Sequence, residues 1–290
     1  MTKSKLILSV CVGAVVSIAS GPASAQLFGN NQCSGLPSWG ALKGALNSVV
    51  SAGGNGGLGF NMWGTVVAND GTVCAVAFSG GQYTSQWLGS RAIAAQKANT
   101  ANDFSLGLGS TPASSLFGTK GLALSTANLF TAVQPGGSLY GLQHSNPVAT
   151  EVAYGNFPPT NPNAFGTPND PMIGQRVGGV NVFGGGLALY VHGVKVGGLG
   201  VSGDTSCTDH MVAWKVRNAL GLDGLNGVPG VSGDPARPDN IIFDIVANPS
   251  GDGGTGQSPG AAGGVGTSPS GFGHPQCLNP PNPATLPPVH

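Results

Sequence analysis

The sequence carries little charge. Only 8% of its 290 residues are charged, and Glu151 is its one glutamate. The eleven basic residues are spread along the chain without a basic cluster, which excludes the electrostatic surface that nucleic-acid binding requires. With one glutamate and no suggestive spacing of acidic residues, the sequence also offers no pair of carboxylates of the glycosidase type.

Long apolar runs are also scarce. The one such run, residues 6–19, follows Lys3 and Lys5 and precedes the small residues 23–25, which is the arrangement of a secretory signal peptide. We therefore expect cleavage near Ala25 and a secreted product, periplasmic or extracellular. No later segment approaches the roughly 20 apolar residues of a membrane-spanning helix, so no membrane span is expected.

Motifs for nucleophilic or nucleotide chemistry are incomplete. Residues 198–203 match the glycine pattern of a dinucleotide-binding turn, but the strand before them belongs to a hairpin and no parallel strand follows. Residues 200–204 miss the nucleophile-elbow pattern, and no catalytic triad or metal cage can be identified, which leaves open whether the protein is an enzyme. A glycine turn before a helix can still bind a carboxylate or phosphate. Ser202, Gly203 and Asp204 are therefore candidate binding residues.

Glycine, in contrast, is abundant, with 51 residues. Residues 62–78 alternate around an Asn-Asp-Gly turn, and residues 180–201 alternate around His192-Gly193, which predicts two antiparallel hairpins. Because glycine weakens a strand, its frequency in the second hairpin indicates that a helix or a ligand approaches the backbone closely. Helical spacing occurs in four segments, residues 36–50, 90–106, 122–133 and 204–221. The predicted fold class is α/β (α+β), an antiparallel sheet of two hairpins flanked by helices.

The predicted helix 90–106 presents alanines on one face, so it can lie close to a sheet or to a flat ligand. Arg91 and Lys97 are its only cations. Two interpretations of these cations stay open. Either both side chains are solvated, or both pair with carboxylates of a ligand.

Cysteine is scarce as well. Apart from Cys11 in the signal segment there are four, an even number that favours two disulfides in an oxidising compartment. No CxxC or HxxxH spacing is present, so disulfides are favoured over a metal site. The predicted topology places Cys33 and Cys74 at one end of the first hairpin and Cys207 at the opposite end. The pairs Cys33–Cys74 and Cys207–Cys277 are therefore predicted.

In their order along the chain, the predicted helices and hairpins resemble those of the haem-binding, haem-degrading GlcG/HbpS-like family. The resemblance covers residues 36–222, and its most specific motifs are KANTA at 97–101 and GVSGD at 200–204. It implies an α/β fold with an antiparallel sheet flanked by helices, a homo-oligomer, and binding of haem or a related tetrapyrrole. Some members are haem-degrading and others are redox sensors, so the resemblance does not decide catalysis.

Haem binding needs a flat apolar slot, an axial donor, and cations or helix N-terminal amides for the propionates. On this hypothesis Arg91, Lys97 and the turn Ser202–Asp204 contact the propionates. His210, in the first turn of the last predicted helix, is the first choice as axial ligand of the haem iron, because a helix N-terminus disfavours the imidazolium. His144 is the alternative.

The rest of the chain departs from the short form of the family. We expect a binding domain over residues 26–248 that contains a long loop, 138–176, followed by a Gly/Pro-rich and largely disordered tail, 249–290. Two other functions stay open: a non-catalytic secreted scaffold or adhesion module, and a binder of a small organic acid at the glycine turn.

Overall fold

The computed structural model of the chain describes residues 32–155, 161–245 and 268–290. The predicted signal segment, 1–25, lies outside the described residues. The helices of the described part are α1 Trp39–Ala52, α2 Gly89–Asp103, α3 Leu129–Ala132, α4 Thr150–Tyr154 and α5 Ser206–Ala219. Its strands are β1 Trp63–Ala68, β2 Val73–Phe78, β3 Gly186–Val191 and β4 Val194–Ser202. Among these helices, none combines the length and the hydrophobicity that crossing a membrane requires.

The four strands form one antiparallel sheet in the order β2-β1-β4-β3, which confirms the prediction of two hairpins flanked by helices. Successive residues of a strand face opposite sides of the sheet. Val66 therefore packs with Leu42 and Leu46 of α1, whereas Val67 packs with the alanines of α2. Helices α1 and α5 thus cover one face of the sheet, and α2 covers the other.

The glycines of the second hairpin allow α2 to lie directly on the strands. A Cβ atom at Gly200 would overlap the carbonyl oxygen of Ala94, and one at Gly198 would overlap that of Ala98. Of the two alternatives for these glycines, a helix or a ligand, the structure shows the helix. Small residues on both surfaces produce this close approach.

The predicted helix 122–133 forms only over its last turn, at Leu129–Ala132. Its first half is extended instead, because Leu122 bridges to Leu106 and the amide of Ala123 donates to Pro229 O. Tertiary pairing therefore overrides the helical spacing in this segment.

The end of the chain, residues 268–290, is packed rather than disordered. Leu286 is buried in the main core, Trp214 Nε1 donates to Pro287 O at 3.0 Å, and the amide of His290 donates to Asp223 O. The predicted disorder of the tail therefore does not hold here, because apolar and hydrogen-bonding contacts fix this segment in spite of its proline content. Residues 246–267 lie outside the described part of the chain.

Two disulfides join distant segments. Cys33 is bonded to Cys74 with a Cα separation of 5.5 Å, and Cys207 to Cys277 with a separation of 6.0 Å. These are the two pairs that the topology argument predicts. The second bond attaches the end of the chain to the start of α5.

The contact between α2 and the sheet is tested by Gly200→Ala. The added methyl group would meet backbone atoms of α2, so we expect a loss of about 3 kcal/mol or more in the free energy of unfolding, measured by urea denaturation. Gly44→Ala is the control, because it lies in α1 with no neighbouring atom in reach and should stabilise by about 0.5–1 kcal/mol. Equal stabilities for the two variants would contradict this packing.

Candidate functional site

Lys97 and Asp209 form a buried ion pair between α2 and α5. Lys97 Nζ lies 2.7 Å from Asp209 Oδ2, and it also donates to Val201 O at 3.2 Å and to Ser202 Oγ at 3.3 Å. Both side chains are almost fully buried. Burial raises the pKa of Asp209 to about 6 and lowers the pKa of Lys97, while their mutual attraction opposes both shifts. All three ammonium hydrogens therefore have partners within the chain, and Lys97 is not free to bind a propionate.

The glycine turn before α5 is likewise occupied by carboxylates of the chain. Asp204 accepts hydrogen bonds from the amides of Leu58, Phe60 and Thr205, at 2.9, 3.0 and 2.6 Å. The amide of Asp204 itself donates to Asp209 Oδ1 at 2.9 Å. Of the predicted site residues, the structure thus brings Lys97, Ser202, Gly203 and Asp204 together, but around two internal acids rather than around an anionic ligand.

Arg91 lies apart from this cluster, at the start of α2. Its Nε donates to Asp170 Oδ2 at 2.8 Å, a second nitrogen contacts Asp170 Oδ1, and its Nη1 donates to Ala153 O at 2.8 Å. Its guanidinium carbon lies 4.0 Å from the ring centroid of Phe165. Asp170 and Phe165 belong to the long loop, which therefore covers Arg91 and supplies its carboxylate partner.

His210 is fully buried in α5. Its Nε2 lies 3.1 Å from Asn240 Oδ1 and 3.1 Å from the amide nitrogen of Ile241, whereas its Nδ1 has no partner among the described residues. Burial lowers the pKa of His210 to about 4, so the ring is neutral. The cause is burial and not the helix N-terminus that the sequence argument invokes, since His210 is the fifth residue of α5. However, the side chain has no exposed surface, and a haem could reach it only if residues 239–241 moved away. His144, the alternative ligand, is exposed in the long loop.

A recess lined by aromatic rings, which the sequence did not predict, lies near the N-terminal end of α2. It consists of two cavities of about 420 and 210 Å³, and the rings of Tyr83 and Phe165 line both of them. We call these two cavities the aromatic cleft. Its lining includes the side chains of Lys43, Trp63, Phe78, Tyr83, Leu88, Arg91 and Phe165.

The rings of the aromatic cleft are arranged in two pairs. Trp63 stacks on Phe78 at 4.3 Å, and Tyr83 contacts Phe165 edge to face at 6.0 Å. These rings come from both strands of the first hairpin, from the segment before α2 and from the long loop. No local sequence pattern unites them, which explains why sequence reasoning did not find the cleft.

Several polar groups border the cleft. The indole Nε1 of Trp63 is buried without a hydrogen-bond partner among the described residues. Leu88 precedes α2 and supplies no side-chain cap, and the first turn of this helix lines the smaller cavity. The amide of Ser90 in this turn donates to Trp87 O. Lys43 borders the larger cavity. Its ammonium group donates one hydrogen bond to Phe78 O, which leaves two N–H groups for a ligand, and burial lowers its pKa. These groups favour an anionic or hydrogen-bond-accepting ligand.

A larger cavity, of about 590 Å³, lies between the glycine-rich segment 53–60 and residues 279–281. Asp204 and Thr208 form part of its wall. The carboxylate of Asp204 there repels other anions, and no lysine or arginine lines this cavity. Its chemistry therefore suits a dicarboxylate such as haem less well than that of the aromatic cleft.

Comparison with known proteins gives one family. The family model described as haem degrading protein HbpS-like matches residues 57–217. This range begins before β1, contains all four strands and α2, and ends near the end of α5. A search of the curated proteins finds no significant match.

Three crystal structures of other proteins are similar to the chain. The structure of Klebsiella pneumoniae protein ORFY is 20% identical and covers 63% of this chain and 90% of its own, with a TM-score of 0.39. A structure titled PduOC:heme complex is 22% identical, with 62% and 89% coverage and a TM-score of 0.38. The structure of HbpS is 17% identical, with 63% and 89% coverage and a TM-score of 0.36.

The burial of His210 predicts a pH dependence of stability. Its pKa in the folded protein, about 4, is below the value of about 6.5 in the unfolded chain, so the unfolded state binds the proton first as the pH falls. This contribution is complete above pH 6.5 and is lost as the pH falls toward 4. Between pH 7 and pH 5, we expect the wild type to lose about 2 kcal/mol more than His210→Gln in urea denaturation.

The other ionisable groups are present in both of these proteins, so the difference between the two pH profiles isolates His210. Parallel profiles would show that the imidazole is solvated in the native state, contrary to the structure.

Proposed function

The chain belongs to the HbpS-like family of haem-degrading proteins, and on this premise we propose that it binds haem or a related tetrapyrrole in the aromatic cleft. The match to the family model over residues 57–217 is the observation that carries the proposal. The chemistry of the cleft selects the place within the fold. We locate the ligand there, and not at the turn Ser202–Asp204 that the sequence indicated.

The cleft has the chemistry that a flat aromatic ligand needs. Its larger cavity falls within the range of about 300–1,000 Å³ that is usual for ligand sites, and most of its smaller cavity is apolar. Tyr83 and Phe165 touch only edge to face, so a macrocycle can displace one ring from the other and stack on both. The stacked pair of Trp63 and Phe78 forms a rigid wall behind them.

The two propionates of haem require positive partners. Lys43 is the ammonium group at the larger cavity, and the first turn of α2 supplies backbone amides at the smaller one. Arg91 is already held by Asp170, so its role is to position Phe165 rather than to bind the ligand directly. A carboxylate at either end of the cleft would thus meet a favourable potential.

For the iron, we propose the phenol oxygen of Tyr83 as the axial donor. None of the five histidines lines either cavity of the cleft, whereas Tyr83 lines both, and tyrosine is an established haem ligand in proteins. Among the described residues, the Tyr83 hydroxyl has no hydrogen-bond partner that would compete. Bound haem supplies redox chemistry at its iron, and the residues of the cleft hold the ring and exclude water from it.

The proposal extends to location and assembly. Two disulfides persist in an oxidising compartment, which supports a secreted protein. Leu58, Phe60, Trp87 and Leu88 are exposed apolar side chains, and Phe60 contacts Trp87 edge to face, which supports self-association of the chain. A role as binder of a small organic acid loses its motivation, since Asp204 and Asp209 occupy the turn on which it depended.

The test is an optical titration of the mature protein with haem. The proposal predicts a Soret band that saturates at one haem per binding site, and Tyr83→Phe should shift this band because the axial oxygen is lost. Phe165→Ala should weaken binding roughly tenfold, which corresponds to about 1.4 kcal/mol. His210→Gln and Tyr140→Phe are matched controls outside the cleft and should leave the band unchanged.

If no Soret band develops, the protein does not bind haem, and the scaffold alternative is favoured. If the band shifts in His210→Gln but not in Tyr83→Phe, the protein binds haem but the aromatic cleft is the wrong site.

A further inference from the structure

A second cluster of potential ligands lies at the start of α5, away from the aromatic cleft. It consists of Cys207, His274 and Cys277, whose ligand atoms all lie within 4.8 Å of one another. In the structure the two cysteines form a disulfide. We propose that reduction of this disulfide converts the cluster into a binding site for Zn²⁺.

The donor set is one that zinc prefers. Two thiolates and one imidazole are typical protein ligands of zinc, and a water molecule can take the fourth position of the tetrahedron. His274 and Cys277 are three residues apart along the chain, a local pair of ligands in a short turn, and α5 supplies the third. Zinc motifs defined by CxxC or HxxxH spacing do not include this arrangement.

Once the disulfide is broken, the two sulfurs must separate from bonding distance to about 3.8 Å in a tetrahedral site, whereas the distance from sulfur to imidazole needs only a small adjustment. Cys207 Sγ lies 4.0 Å from His274 Nδ1. In a tetrahedral site with ordinary zinc–sulfur and zinc–nitrogen bonds, these two atoms are about 3.6 Å apart. Cys207 and His274 are both buried, whereas Cys277 is partly exposed, so the site is enclosed on one side and has a route for a cation on the other.

A neighbouring side chain supports the histidine. His274 Nε2 lies 2.7 Å from Ser206 Oγ, and Ser206 Oγ also accepts the amide of Gly184 at 2.6 Å. A hydrogen bond at the second ring nitrogen is the usual support of a histidine that binds zinc. At present Nδ1 donates to Pro275 O at 2.7 Å, so metal binding at Nδ1 requires the ring proton to move to Nε2, which would then donate to Ser206 Oγ.

The position of the disulfide also favours its reduction. A thiolate of a small or protein dithiol can attack the partly exposed Cys277 Sγ, so that the S–S bond breaks and Cys207 leaves as a thiolate. The second thiol of the reductant then displaces Cys277 and closes its own disulfide. Two electrons pass to the cysteines, and Zn²⁺ takes the two thiolates while the protons of the dithiol go to solvent.

This disulfide is placed at a helix N-terminus. Cys207 is the second residue of α5. The amide of Cys207 also lies 3.1 Å from Cys277 Sγ and can donate to it. Cys33 and Cys74 have no such setting, since Cys33 lies in a turn before α1 and Cys74 in strand β2.

Zinc would preserve a link that reduction otherwise breaks. The disulfide is the cross-link between residues 268–290 and α5. In the reduced protein a bound Zn²⁺ would bridge the same two sulfurs, and the end of the chain would stay in place. Without metal, the reduced chain would keep only its non-covalent contacts there.

The experiment uses Co²⁺ as a coloured substitute for Zn²⁺ with the mature protein. The main sample is the double variant Cys33→Ser/Cys74→Ser, in which only the second disulfide is present. The variant and the wild type are each studied in the oxidised and in the phosphine-reduced state. We expect one Co²⁺ per chain in the reduced proteins, with thiolate-to-cobalt absorption that Zn²⁺ abolishes. The oxidised protein should show no such absorption.

The histidine is tested separately. His274→Ala should weaken Co²⁺ binding by at least about tenfold, whereas His144→Ala, an exposed histidine, should not change it. His274→Cys should restore binding with a spectrum of three thiolates, which shows that a loss in His274→Ala is not a failure to fold. The proposal is overturned if reduced wild type with a native circular dichroism spectrum gives no thiolate–cobalt band, or if His274→Ala binds as the wild type does.

Discussion

The ion pair between Lys97 and Asp209 is the interaction on which the rest of the structure depends. Two charges that are almost completely removed from water cost several kcal/mol each to desolvate, and only close, hydrogen-bonded pairing offsets that cost. The pair therefore forms only when α2, the end of β4 and the start of α5 are all in place. The glycines of β4 make this possible, because they let α2 approach until Lys97 reaches Val201, Ser202 and Asp209.

Residues 97–101 and 200–204 thus build the framework, and the ligand surface that we propose lies elsewhere. From Asp209 the contacts continue to Asp204, and from Asp204 to the amides of the glycine-rich segment 53–60. The aromatic cleft, in contrast, combines α1, the first hairpin, the start of α2 and the long loop. A framework held by buried charges can keep its shape while such peripheral segments change. The residues that stabilise the fold are then different from the residues that determine which ligand binds.

The sequence predicts the elements of this protein better than it predicts their partners. Alternation and turn residues were sufficient for both hairpins, and the order of the elements was sufficient to predict Cys33–Cys74 and Cys207–Cys277. The roles of Arg91 and Lys97 could not be inferred, because their partners, Asp170 and Asp209, are distant in the chain. The proline-rich end was misjudged for the same reason, since its order comes from contacts with α5 and not from its composition.

A double-mutant cycle at Lys97 and Asp209, read out by both unfolding and haem titration, tests this account most directly. Lys97→Met and Asp209→Asn should each cost about 3–5 kcal/mol, because each leaves a buried group unpaired. The double variant should cost no more than either single change, and once folded it should bind haem with unchanged affinity. Additive losses of stability would show that the two residues are not coupled, contrary to the structure. A tenfold loss of haem affinity in the folded double variant would show that these residues serve the ligand.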